Sequence, residues 1–120
     1  MVAVKRIYDP PSRTDGTRIL VDRLWPRGIT KNEAAIDEWL KDIAPRTELR
    51  KSFGHDPAKW PQFTARYKKE LKKHAELVDE LRRKAKKGRV TLLFSAKDRE
   101  HNNAVVLKEV LEHASGGPER

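Results

Sequence analysis

Apolar residues fall along this chain in two rhythms. Short continuous runs mark strands: Val2–Tyr8 (V-A-V-K-R-I-Y), Ile19–Val21, and Arg89–Ala96 (R-V-T-L-L-F-S-A). The last is nearly all apolar, as a strand covered on both faces requires. The run at Ile19–Val21 sits in T-R-I-L-V-D-R-L-W-P-R-G-I and stops on charge at Asp22 and Arg23. Pro26 has no ladder donor and Gly28 permits a turn, so that strand ends near Leu24. Between the first two runs lies D-P-P-S-R-T-D-G, either the turn of a hairpin or a surface connection between parallel strands.

Steps of three and four mark helices. Trp60, Phe63, Tyr67, Leu71, His74 or Ala75, Val78 and Leu81 form one apolar stripe. It predicts a helix over 57–87, started by Asp56-Pro57 and stopped at Gly88. At about 1.5 Å per residue such a helix spans roughly 45 Å, so it either kinks or projects from a small domain. Arg46–Phe53 reads as a short helix broken at Gly54, and Arg99–His113 as a last one, with Ala104, Leu107, Val110 or Leu111 and Ala114 on one face. Residues 31–43 are ambiguous. Thr30 and Glu33 form a capping box, and Ile36, Trp39, Leu40 and Ile43 are spaced for a helix, but a short helix followed by a strand at 36–42 fits as well.

A length of 120 residues holds one domain, expected over 1–114 with a flexible tail at 115–120. The formal charge is +9, and it is not spread evenly. From Pro57 to Arg89 there are twelve Lys and Arg against four acids, so nearly all the excess lies on the predicted long helix. Such a helix attracts nucleic acid without sequence preference, through Lys69, Lys72 and Lys73 among others; a solvated face is the plainer explanation. The chain has no cysteine, which removes disulfides, thiolate nucleophiles and cysteine metal sites. Its four histidines show no paired ligand spacing, and no Gly-rich phosphate loop occurs. No cofactor and no metal are predicted. No apolar run reaches membrane length, and the start M-V-A-V-K-R is unlike a signal peptide, which predicts a cytoplasmic protein, monomeric or homodimeric, with no membrane partner.

Two stretches carry candidate chemistry. Ligands of parallel sheets gather at the carboxyl ends of strands, where Asp22, Arg23, Trp25 and Arg27 stand. The second stretch, Ser95–Asn103 (S-A-K-D-R-E-H-N-N), joins a buried strand to a helix, whose first amides favour anions. Together they predict an anion-binding cleft for phosphate, sulfate or another acidic small molecule. Arg23, Arg27, Ser95, Lys97 and Asn102 are its donors, Asp22 orients the arginines, and Trp25 is a wall. His101 is the candidate general acid or base, because histidine titrates near neutrality. Asp98 is also a natural N-cap. Spacing alone does not join Ser95, His101 or His55, and Asp22 into a triad, and no reaction type follows.

The linked motifs V-K-R-I-Y-D, D-G-T-R-I-L-V-D-R-L-W-P-R-G-I, A-P-R-T-E-L-R-K-S-F-G-H-D-P-A-K-W and V-T-L-L-F-S-A-K-D-R-E-H-N-N-A run through essentially the whole chain. They resemble the YeaO-like proteins of domain-of-unknown-function family 488. The resemblance implies a compact α/β domain, a mostly parallel small sheet with helices on both faces, and it favours a strand around Ile36–Asp42. It carries no activity. In the family's other branch a cysteine stands at the place of Ser95, and a Cys-His-Arg run lies near His101-Asn102-Asn103. This chain lacks those thiols, so thiol or metal chemistry of that branch is not implied for it.

Overall fold

A computed structural model describes residues 1–113. Four strands, β1 (Val2–Arg6), β2 (Thr17–Leu20), β3 (Glu38–Trp39) and β4 (Val90–Phe94), form one sheet in the order β1-β4-β2-β3, and every neighbouring pair is parallel. The hairpin alternative for residues 9–16 is therefore excluded, because β4 lies between β1 and β2. The connection carries a 3-10 turn at Arg13–Asp15, capped reciprocally by Ser12 and Asp15. Gly16 follows with φ of 66°, and a Cβ there would lie 2.2 Å from the Arg89 carbonyl oxygen. Only glycine lets the chain enter β2 beside the start of β4.

The strand alternation separates two faces. On one, Ile19, Val21, Leu92 and Phe94 pack against α2 (Thr47–Phe53), α3 (Trp60–Lys72), α4 (Ala75–Lys87) and α5 (Asn103–His113) through Leu49, Phe63, Tyr67, Leu71, Val78, Leu81 and Leu107. On the other, Ile7, Leu20 and Leu93 are covered by Ala34 of the one-turn helix α1 (Lys31–Ala34) with Trp25, Ile29, Ile36 and Trp39. Helices thus lie on both faces, but unequally.

Two alternatives left open by the sequence resolve. The stripe over 57–87 is one helix in sequence and two in space: α3 ends at Lys72 with Lys73 as its C-cap, His74 has φ −115° and ψ 39°, and α4 begins at Ala75. Of the predicted stripe, Phe63, Tyr67, Leu71, Val78 and Leu81 are buried, Trp60 and His74 half-buried, and Ala75, at the break, exposed. The break lets both halves lie on a core whose strands are at most five residues long, which one straight rod would overrun. Residues 31–43 resolve in favour of the short helix and strand. Ala35, in the left-handed conformation at φ 48°, ends α1. Ile36 and Trp39 then serve one face of the sheet while Leu40 and Ile43 serve the other, so their helical spacing is coincidental. Ala114 and the tail expected at 115–120 lie outside the described residues. Among the described residues, no helix is long and apolar enough to cross a membrane.

One ionic cluster is sealed near the start of β2. Asp15 accepts from Arg18 at 2.6 Å and from Lys5 at 3.1 Å, while Arg18 also donates to the carbonyls of Ala34 and Ala35. Thr91 Oγ1 donates to the Asp15 carbonyl at 2.6 Å. Every charge here has a partner, as burial demands.

Candidate functional site

At the opposite end of the same strands the chain builds an open cleft of about 420 Å³. The parallel register sets Leu20 beside Leu93, and Val21 continues the ladder by donating its N–H to the Leu93 carbonyl at 3.1 Å. Asp22 and Ser95 therefore emerge side by side. Asp22 Oδ2 accepts from the Ser95 amide at 2.9 Å and from Ser95 Oγ at 2.7 Å. Burial pushes the Asp22 carboxyl above the ordinary carboxylate range, and the bonds from Ser95 offset only part of that. Asp22 thus holds Ser95, where the sequence suggested that it orients the arginines.

The arginines are held otherwise. Arg23 donates to the carbonyls of Ala44 at 3.0 Å and Pro45 at 3.2 Å, which pins the segment before α2 to the end of β2. Arg27 lies exposed on the rim, and the Tyr8 hydroxyl fixes its backbone by donating to the Arg27 carbonyl at 2.7 Å. Trp25 lines the cleft. Its indole N–H donates to the Ile29 carbonyl, and its ring meets Trp39 edge-on at 5.3 Å.

The link from β4 to α5 is an ordered turn. The expected helix over 99–113 begins only at Asn103. Asp98 caps the turn before it, accepting from the amides of Glu100 and His101, and those bonds hold its carboxyl below the ordinary value. Asp98 Oδ2 also lies 2.8 Å from His101 Nδ1, and the His101 ring stands edge-on to Trp60 at 5.1 Å. Asn102 accepts from the Val105 amide, which makes it the cap of α5, and its Nδ2 donates to the Asp98 carbonyl. Its side chain is therefore engaged within its own turn. Lys97 is exposed and lies outside the cleft lining. Among the described residues, no histidine hydrogen-bonds Ser95, and no group of three or more His, Asp or Glu side chains converges as a metal site.

Two contributors to the cleft, Arg50 and Phe53, were not singled out in the sequence, and two more, His55 and Asn103, had no assigned role there. Arg50 reaches it from α2, and His55 from the turn that follows. Phe53 forms part of the floor with Phe63, their rings stacked at 4.6 Å. Asn103 ties α5 to β2 by donating to the Val21 carbonyl at 2.8 Å. Gly54 and His55 are both left-handed, at φ 54° and 58°, and that double turn is what swings His55 to the rim. The G-H-D-P signal was readable as a helix boundary, but not as an approach to β2.

The basic helices divide their charge. Lys68 pairs with Glu109, Arg82 with Asp79 and Lys84 with Glu38. Lys69, Lys72 and Lys73 are exposed around the end of α3, outside the cleft lining.

Comparison with known proteins accords with this geometry at the level of family. Residues 1–117 match a family described as the inactive DUF488-N3 subclade. The chain is 48% identical over 110 residues to the uncharacterized protein YeaO of Escherichia coli, covering 92% of this chain and 96% of that one. It is 38% identical over 110 residues to the uncharacterized proteins Mb3100c of Mycobacterium bovis and Rv3073c of Mycobacterium tuberculosis, covering 92% of each chain. No solved structure matches it. With whole-length similarity of this kind, the chain belongs to the DUF488 family as a YeaO-like protein.

Proposed function

We propose that the cleft is a binding site for an acidic small molecule, held without being turned over. The observation that carries this reading is the charge of the lining. Three arginines, Arg23, Arg27 and Arg50, and two histidines, His55 and His101, surround one carboxylate. That carboxylate, Asp22, is engaged by Ser95, and its burial opposes ionisation. Arg27 and Arg50 are exposed, so their guanidinium forks are open to an anion that accepts two parallel bonds. The absence of a hydrogen bond between Ser95 and a histidine, among the described residues, supports binding over nucleophilic catalysis, as does the family's description as inactive.

A thermal-shift titration with inorganic phosphate and sulfate tests it. A ligand that binds only the native state stabilises it by RT ln(1 + L/Kd) at free concentration L, so Tm climbs with the logarithm of that concentration above Kd. The wild type is expected to gain stability with rising anion at constant ionic strength, and the Arg27→Ala/Arg50→Ala double variant to lose that response while unfolding normally without anion. A wild-type response no greater than that to chloride overturns the reading.

A further inference from the structure

The cleft is larger and more apolar than an inorganic anion needs. A water occupies about 30 Å³ of liquid and a phosphate only a few times that, whereas the cleft holds about 420 Å³, within the range of organic-ligand pockets. Leu24, Trp25 and Pro26 form one side, and Phe53, Phe63 and Ala96 contribute apolar surface. Exposure gives a second, independent pointer. Three large apolar side chains stand exposed among the described residues, and two of them, Leu24 at 61% and Tyr8 at 39%, are at this cleft. Apolar surface left in water beside a cationic lining is an unfinished contact.

We propose that the ligand is an amphipathic organic anion, with one acidic group for the arginines and an apolar body about the size of a single ring against Leu24 and the aromatic floor. This inference rests on the anion-binding reading and narrows it. Heteronuclear NMR titrations with inorganic phosphate, phenyl phosphate and phenol test it on the intact chain. Phenyl phosphate is expected to bind at least about tenfold more tightly than inorganic phosphate, moving the amides of residues at both walls. Leu24→Ser, at an exposed position, is expected to remove most of that gain and leave the affinity for inorganic phosphate as it was. Equal affinities for the two phosphates overturn the inference and leave the anion reading standing. So does an undiminished gain in Leu24→Ser. Binding of neither phosphate overturns the reading and the inference together, and phenol binding as tightly as phenyl phosphate overturns both by removing the need for charge.

Discussion

Two aspartates at opposite ends of β2 have been given opposite lives. Asp15, before the strand, is buried, yet the Ser12 amide and the cations Lys5 and Arg18 outweigh burial and hold its carboxyl below the ordinary value. Asp22, after the strand, is also largely buried, but its donors are neutral groups of Ser95, and burial wins. One end of the strand has matched its charges internally. The other has a carboxyl that burial raises above its ordinary range, with arginines anchored only to backbone carbonyls or left exposed. The contrast separates a lock from a receptor: cations that already hold a carboxylate stabilise the fold, while cations without one can recruit it from outside.

The largest effect is expected at the lock. Asp15→Asn leaves Arg18 buried without its counter-charge and should cost about 3–5 kcal/mol in urea unfolding. The pH dependence carries a definite sign. Because the folded carboxyl of Asp15 lies below its unfolded value, its contribution is present above about pH 4 and fades as pH falls through the folded value. The gap between wild type and variant should therefore close in acid, and a gap that is the same at pH 3 and pH 7 would contradict the assignment. A smaller effect is expected at His55. Its left-handed backbone costs on the order of 1 kcal/mol, so His55→Gly should raise the free energy of urea unfolding by roughly that amount while weakening phosphate binding. If stability falls instead, the rim is not strained. The smallest change belongs to Asp22→Asn, which keeps an acceptor for Ser95 and removes a charge that burial disfavours. Its Tm at neutral pH should equal or exceed that of wild type. The sign is opposite to that at Asp15: a carboxyl raised by folding is penalised as pH rises through its folded value, so any advantage of the amide disappears in acid. A loss of stability at pH 7 would erase the distinction between the two ends.

The strands and the buried stripe of α3 and α4 were legible because burial imposes its period directly on the residues. The interruption at Lys73-His74 was not, since neither proline nor glycine marks it and the demand comes from the size of the sheet. At 36–43 a helical spacing arose from residues that serve opposite faces, which no single-face pattern can reveal. In the cleft, Asp22, Arg23, Arg27, Trp25, Ser95 and His101 were readable because strand ends in a parallel sheet converge. Arg50 was not, because α2 reaches the strand ends only through tertiary packing, and for the same reason the place of His55 at the rim was not. Asn102 was read as a donor for the ligand, but helix capping claimed its side chain.

The strand order has a consequence for how the molecule comes to exist. β1 and β2 are emitted first during synthesis, yet they share no edge; β2 gains only the two-residue β3 on its outer side, and both wait for β4, some seventy residues after β2, to join them. A nascent chain shorter than about ninety residues therefore has two apolar strands and no central strand to receive them. Closure of the sheet is a long-range event that must pay its loop entropy before any reward. A ribosome-stalled chain ending before Val90 should remain protease-sensitive throughout, and protection should arrive in one step once β4 has cleared the exit tunnel.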